Sequence, residues 1–165
     1  MSAPAGPLFG KFRGVVSDNR DPLMLGRVRA KVQDVFGDNE SGWALPALPY
    51  AGKSVGLFLV PPTDAWVWIE FEHGDPDYPI WTGCFWAQGE VPASPGVAEM
   101  KVLKTDAVTV TLNDMPGAGG VKIETTLGMK VVISATGIEI DNGMGASIKL
   151  SGPQVSINGS ALEVM

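Results

Sequence analysis

Four carboxylates, Glu70, Glu72, Asp75 and Asp77, crowd into the stretch EFEHGDPDYPIWTGCFW, residues 70 to 86. Two carboxyl groups held at a set separation across a sugar cleft are the machinery of glycoside hydrolysis. His73, the only histidine, stands among them and is the natural candidate for a base near neutral pH. No nucleophile lies near it in sequence. The residues that follow, Gly74, Asp75 and Pro76, are turn formers. Solvated carboxylates at the end of a strand, with a solvent-facing or interfacial histidine, account for the same pattern with fewer assumptions. Cys84 is the single cysteine and has no internal disulfide partner. In an alternating strand pattern it reads as a small buried residue. GAGG at 117 to 120 has no following Lys-Ser/Thr pair and no helix, so it is not a phosphate loop. NGS at 158 to 160 reads as a turn. The expectation is therefore no catalytic, cofactor-binding or metal-binding set.

Composition narrows the partners. A net charge of −6 argues against nucleic acid, whose phosphates require clustered Lys and Arg. The basic residues in GRVRAKV alternate with apolar ones instead: Arg27, Arg29 and Lys31 share one side, and Val28, Ala30 and Val32 the other. No apolar run approaches the roughly 20 residues that span a membrane. The opening MSAPAGPLFGKF lacks the basic stretch and apolar core of a secretory signal, so synthesis in the cytoplasm is expected.

The elements that would position these groups change character along the chain. Residues 9 to 88, after an N-terminus (1 to 8) expected to be flexible, read as short strands without a helical period. GKFRGVVSDN closes on a turn. GLFLV reads as a buried strand stopped by Pro61-Pro62. AWVWIEFE alternates, with Val67, Ile69 and Phe71 on one face and Trp66, Trp68, Glu70 and Glu72 on the other. About five such strands fit a small closed barrel of the OB type. Trp66 and Trp68, opposite the core, are candidates for contact with a neighbouring subunit.

Residues 89 to 100, rich in Pro, Gly and Ala, read as a linker. From Lys101 to Met165 there is no Phe, Tyr or Trp, and a three-residue theme recurs: VKI, VVI, IEI, IKL, VSI and LEV. The steps between their last residues are 10, 7, 10, 7 and 7. The outer positions are aliphatic throughout, while the middle is polar in all but Val132. Each triplet thus turns two aliphatic side chains to one face. The expected core is Val121, Ile123, Val131, Ile133, Ile138, Ile140, Ile148, Leu150, Val155, Ile157, Leu162 and Val164. Such short strands at near-regular steps suggest a β-helix or β-prism. A single layer leaves its aliphatic face open, and three copies about one axis would close it, so a homotrimer is expected.

With these residues in view, GKFRGVVSDNRDPLMLGRVRAKVQDVFGD, SGWALPALPYAG and VGLFLVPPTDAWVWIEFEHGDPDYPIWTGCFW followed by a β-prism resemble the central spike protein of contractile injection machines. That family takes in baseplate assembly protein V of contractile phages, spikes of extracellular phage-tail-like particles and spike hubs of type VI secretion. The resemblance implies an all-β chain, an OB-fold hub followed by a trimeric β-helical needle, driven through an envelope when a sheath contracts, with no cofactor. It implies a partnership with inner tube and baseplate hub proteins, and with the target membrane on firing. No lysozyme-like domain separates barrel from needle, no effector extension follows, and ALEVM has no His-x-His element. The first two points favour a minimal phage or particle spike. The last rung, Leu162, Val164 and Met165, is expected to contact a conical cap protein of the proline-alanine-alanine-arginine repeat type. Two other readings stay open on the residues alone: a cell-wall-degrading enzyme using the acidic cluster, and an OB-fold binding module with a trimerising tail.

Overall fold

The computed structural model describes residues 6–159 and 161–164. The chain divides into two compact units, Met1–Gly89 and Glu90–Met165. No helix among the described residues is long and apolar enough to cross a membrane.

The first unit contains β1 (Phe12–Asp18), β2 (Arg29–Lys31), the one-turn helix α1 (Gln33–Phe36), β3 (Leu45–Pro46), the small hairpin β4 (Ala51–Gly52) and β5 (Val55–Gly56), β6 (Trp66–Phe71) and β7 (Pro79–Phe85). The main sheet runs in the order β2-β1-β6-β7-β3, antiparallel except for the β3/β7 pair. The period-two pattern of AWVWIEF decides its core: Val67 and Ile69 are fully buried and Phe71 nearly so. Val28, Ala30 and Val32 meet them from β2 and its flanks, each without solvent contact. Full burial of a Val or Ile side chain is worth about 1.5–3 kcal/mol, so this cluster alone gives the unit a core of its own. Gly14 makes it possible in the middle of β1, because a Cβ there would stand 3.1 Å from Ile69 and 3.3 Å from Ala30.

Three expectations need correction. GLFLV is neither buried nor a strand beyond Gly56: Leu57, Phe58 and Leu59 are 45–68% exposed. The β4–β5 hairpin and the two prolines leave this segment running along the surface, where no strand pairs with it. Leu8, expected in a flexible N-terminus, belongs to the core, its amide donating to the Gly74 carbonyl at 2.8 Å. Cys84 is exposed rather than buried. The β6/β7 register shifts between Val67 and Ile69, which sets Cys84 opposite the buried Val67, so its exposure marks a part of that face left uncovered and not a side chain turned outward by the pleat.

The second unit is a single layer. Strands β8 (Met100–Lys104), β9 (Val108–Asn113), β10 (Gly120–Thr125), β11 (Lys130–Ser134), β12 (Gly137–Asp141), β13 (Ser147–Ser151), β14 (Gln154–Ile157) and β15 (Leu162–Val164) pair in chain order, every pair antiparallel. Within one chain the triplets form a meander and do not wind into a coil. The turns explain the first four steps, while the last step of 7 comes from the shorter strands β14 and β15 about a four-residue loop. β11 and β12, and again β13 and β14, are joined by two residues, whereas longer loops join β10 to β11 and β12 to β13. At Gly137 the meander is tight: φ is +141° and a Cβ would lie 1.9 Å from the Leu150 carbonyl oxygen.

Candidate functional site

The β8–β15 register stacks the aliphatic residues into two columns on one face. Leu103, Val110, Ile123, Val131, Ile140, Ile148, Ile157 and Leu162 are successive cross-strand neighbours in the first. Leu112, Val121, Ile133, Ile138, Leu150 and Val155 are neighbours in the second. The expected needle-core residues therefore share one face wherever their side chains are described. Val164 pairs with Val155 through β15, but its side chain, like all of Met165, lies outside the described residues.

This face is uncovered. Val110, Val121 and Val155 are half-buried, the other members run from 36% exposed at Val131 and Ile157 to 54% at Leu162, and Ile123, Val131, Ile140, Ile148 and Ile157 of the first column line an open trough of about 610 Å³. In β12 the usual order is inverted: Ile140 is 46% exposed, more than the 33% of the charged Glu139 side chain between its two isoleucines. Among the described residues of this unit none is buried. At the first strand the second column ends in a cation, Lys101, opposite Leu112 and paired with Asp114.

The opposite face is built from charge. Lys130 reaches Glu139 at 2.8 Å and Asp141 at 3.9 Å, and Lys122 reaches Glu124 at 2.6 Å. The hydrogen bond to Glu139 is the main reason that Lys130 holds its proton more tightly than an ordinary lysine. Val132, the apolar exception among the triplet centres, lines a hollow of about 460 Å³ on this unit with Val102, Met100 and Pro92.

The first unit brings Glu72, His73 and Asp75 together around a small open hollow of about 200 Å³ with Tyr78, while Glu70 is held elsewhere by Lys11. Glu70 accepts from Lys11 Nζ at 2.7 Å, and Asp75 accepts from the Asp77 amide at 3.0 Å. Those carboxylates are engaged in a strand-surface ion pair and a turn. His73 is exposed, with φ +53° in the 3-10 turn Glu72–Gly74. Trp66 and Trp68 lie on the outer side of β6, as the alternation requires, and both pack on Phe85, at 5.7 and 4.6 Å between ring centroids. Arg13 stands 5.8 Å above both the Trp68 and Phe85 rings, close enough for attraction to the π faces.

One constellation was not read from the sequence. Asp21, its side chain only 3% exposed, accepts hydrogen bonds from the amides of Leu23, Leu25 and Arg27, and its oxygens meet the Arg27 guanidinium at 2.6 to 3.1 Å. Arg27 chiefly, helped by these amides and opposed by burial, holds the carboxyl well below the usual carboxylate range. The guanidiniums of Arg27 and Arg29 in turn lie over Trp43, at 5.5 and 5.0 Å. The signal was the Asp-Pro start of DPLMLGR, since Asp readily bonds the backbone two residues on. Its closing partner six residues later has no local rule.

Comparison with known proteins fits both units. A family model of the type VI secretion system/phage-baseplate injector OB domain matches residues 12–86. A second, the phage baseplate V C-terminal trimerisation domain, matches residues 100–163. The type VI secretion system spike protein VgrG5 of Pseudomonas aeruginosa is 36% identical over 100 residues, a match covering 56% of this chain and 12% of that protein. The two matches follow one another along the chain as the two units do, an injector OB domain and then a trimerisation domain, and the chain belongs to the family of phage-baseplate and type VI spike proteins.

Proposed function

We propose that the chain is the homotrimeric puncturing spike of a contractile injection machine, a structural and non-enzymatic part assembled into a phage tail or tail-like particle. The observation that carries this is the aliphatic face of the second unit, more exposed at Ile140 than the neighbouring charge at Glu139. Three copies facing inward would remove two columns per chain from water and leave the Lys130–Glu139 face outside. The match to a trimerisation domain supports that arrangement. A rod so made resists bending because many backbone hydrogen bonds share the load, and the sheath supplies the energy. The first unit serves as the hub towards inner tube and baseplate, with Trp66 and Trp68 available at its outer surface.

β15 stands at the edge of the sheet, with Leu162 exposed, and an edge strand offers backbone groups for pairing. A conical cap protein would bind there, over Leu162, Val164 and Met165. Deleting residues 162 to 165 should leave the trimer intact and abolish co-purification of the cap. Particle density that stops at this rung with nothing bound beyond it would remove the cap.

For puncturing itself, particles can be built with the full chain or with a chain cut after residue 99. The full chain should release potassium from target cells on contraction, and the shortened one should not. Equal leakage from both would show that the second unit is not the piercing element.

A further inference from the structure

The first unit carries an apolar surface that its core does not use. Leu23, Met24 and Leu25 are 61%, 85% and 54% exposed, and beside them Leu57, Phe58 and Leu59 are 45%, 68% and 47% exposed. The two segments are fastened to each other. Asn19 Nδ2 donates to the Pro61 carbonyl at 3.0 Å, and the Phe58 ring is 3.2 Å from where a Cβ on Gly26 would sit. Neither PLMLG (22–26) nor VGLFLVPP (55–62) contains a charged residue. Monomeric proteins rarely expose a continuous apolar surface of this kind without a use for it.

The loop is also held in shape. Asp21 gathers the amides of Leu23, Leu25 and Arg27, and the buried Trp81 indole donates to the Gly26 carbonyl at 3.1 Å. Met24, at the tip, has φ +54°, the left-handed region that Gly or Asn normally occupies. A turn that needed only its shape would place glycine there. Methionine instead accepts backbone strain to hold a long, polarizable apolar side chain in solvent, on a loop already ordered before any partner arrives.

We propose that this surface is a preformed knob that docks into an apolar socket on a different protein chain of the baseplate. The inference rests on the spike reading above and names the surface through which the hub is seated. Symmetry argues against a second copy as the occupant. A threefold assembly has no twofold axis to pair knob with knob, and a head-to-tail contact needs a complementary socket on the same chain. A hollow of about 750 Å³ on this unit has Val15, Val16 and Trp66 in its lining, but Arg13, Lys31, Asp34, Asp38, Glu40 and Asp64 share it, so an uncharged knob would have to strip water from charged groups to enter. A lipid surface is disfavoured by a net charge of −6 and by the absence of Lys or Arg in either segment.

The test uses the full-length chain with Met24→Gly, Met24→Glu and, as a control elsewhere on the surface, Tyr78→Ser. Each baseplate protein encoded with the chain is purified singly and its affinity measured. Wild type and Tyr78→Ser should bind one of them equally, and both Met24 variants should lose at least about tenfold. Met24→Gly should melt no lower than wild type, because glycine suits the left-handed backbone, which separates lost docking from lost folding. Equal affinity of all four proteins for that partner would overturn the inference and leave the spike reading standing. So would Met24 variants that no longer form trimers. Flotation of wild type but not Met24→Glu with phosphatidylglycerol vesicles would overturn it in favour of a membrane. If wild type binds none of the baseplate proteins, the spike reading falls and takes this inference with it.

Discussion

Ile69 and Ile140 are the same side chain near the middle of a strand, yet the chain covers one completely and leaves the other 46% exposed. Around Ile69 a sheet closes on itself with a helical turn and loops, and aromatic residues fill the width: Phe71 meets Phe12 at 5.4 Å and Phe36 at 5.9 Å between ring centroids. Around Ile140 there is one layer of strands with aliphatic neighbours, Val131 and Ile148, and nothing above them. The first unit carries the means of its own burial in its sequence. The second carries half of it, and on the proposed reading copies of itself supply the other half. Fold stability would then be a property of the chain in one unit and of the assembly in the other, where it depends on concentration.

That contrast can be broken most severely at Ile140. Ile140→Asp would place three carboxylates in an apolar interior, where burial and like charge both oppose ionisation. Light scattering should show loss of the trimer, whose wild-type mass is expected at about three times 17.4 kDa, while circular dichroism still reports a folded first unit. A variant that stays trimeric with unchanged melting would mean that the aliphatic face points outward. Next in size is Ile69→Ala, which empties part of a closed core and should cost about 2–5 kcal/mol. It should lower the melting of the first unit at any concentration, without changing the trimer. Concentration dependence in that transition would erase the distinction between the units.

A smaller effect separates the units by pH. The Asp21 carboxyl titrates lower in the folded chain than in the unfolded one, with Arg27 as the first cause. Its contribution is present above the unfolded value of about 4 and is lost as pH falls towards the folded one. Melting of the first unit should drop progressively below about pH 4, and Asp21→Asn should begin lower at pH 7 with a shallower acid slope. Parallel curves for the two proteins would show that the clasp contributes nothing. The smallest change is expected from Glu139→Gln, which weakens a partly exposed ion pair to Lys130 and leaves the apolar columns intact. A loss comparable to that of Ile140→Asp would reverse the assignment of the two faces.

The sequence alone determined whatever has a local period. Alternation in AWVWIEFE separated Val67, Ile69 and Phe71 from Trp66 and Trp68, and the triplets placed Ile138 with Ile140 and Ile148 with Leu150. Both follow from the pleat, which sends neighbouring side chains to opposite sides whatever lies beyond. The steps of 7 and 10 were readable too, although the turn lengths behind them came only with the strand ends. Tertiary structure decided whatever depends on a residue far away. GLFLV has the composition of a buried strand, but no element pairs with it, so its leucines and phenylalanine face solvent. Cys84 stands opposite the buried Val67 and is nevertheless exposed, because what covers that end of the face is not set by the strand itself. Asp21 and Arg27 became a clasp only because the loop between them folds back on a buried carboxylate. Period is a property of the backbone and is written residue by residue. Burial is a property of what else arrives in the same place, and no short stretch of sequence contains it.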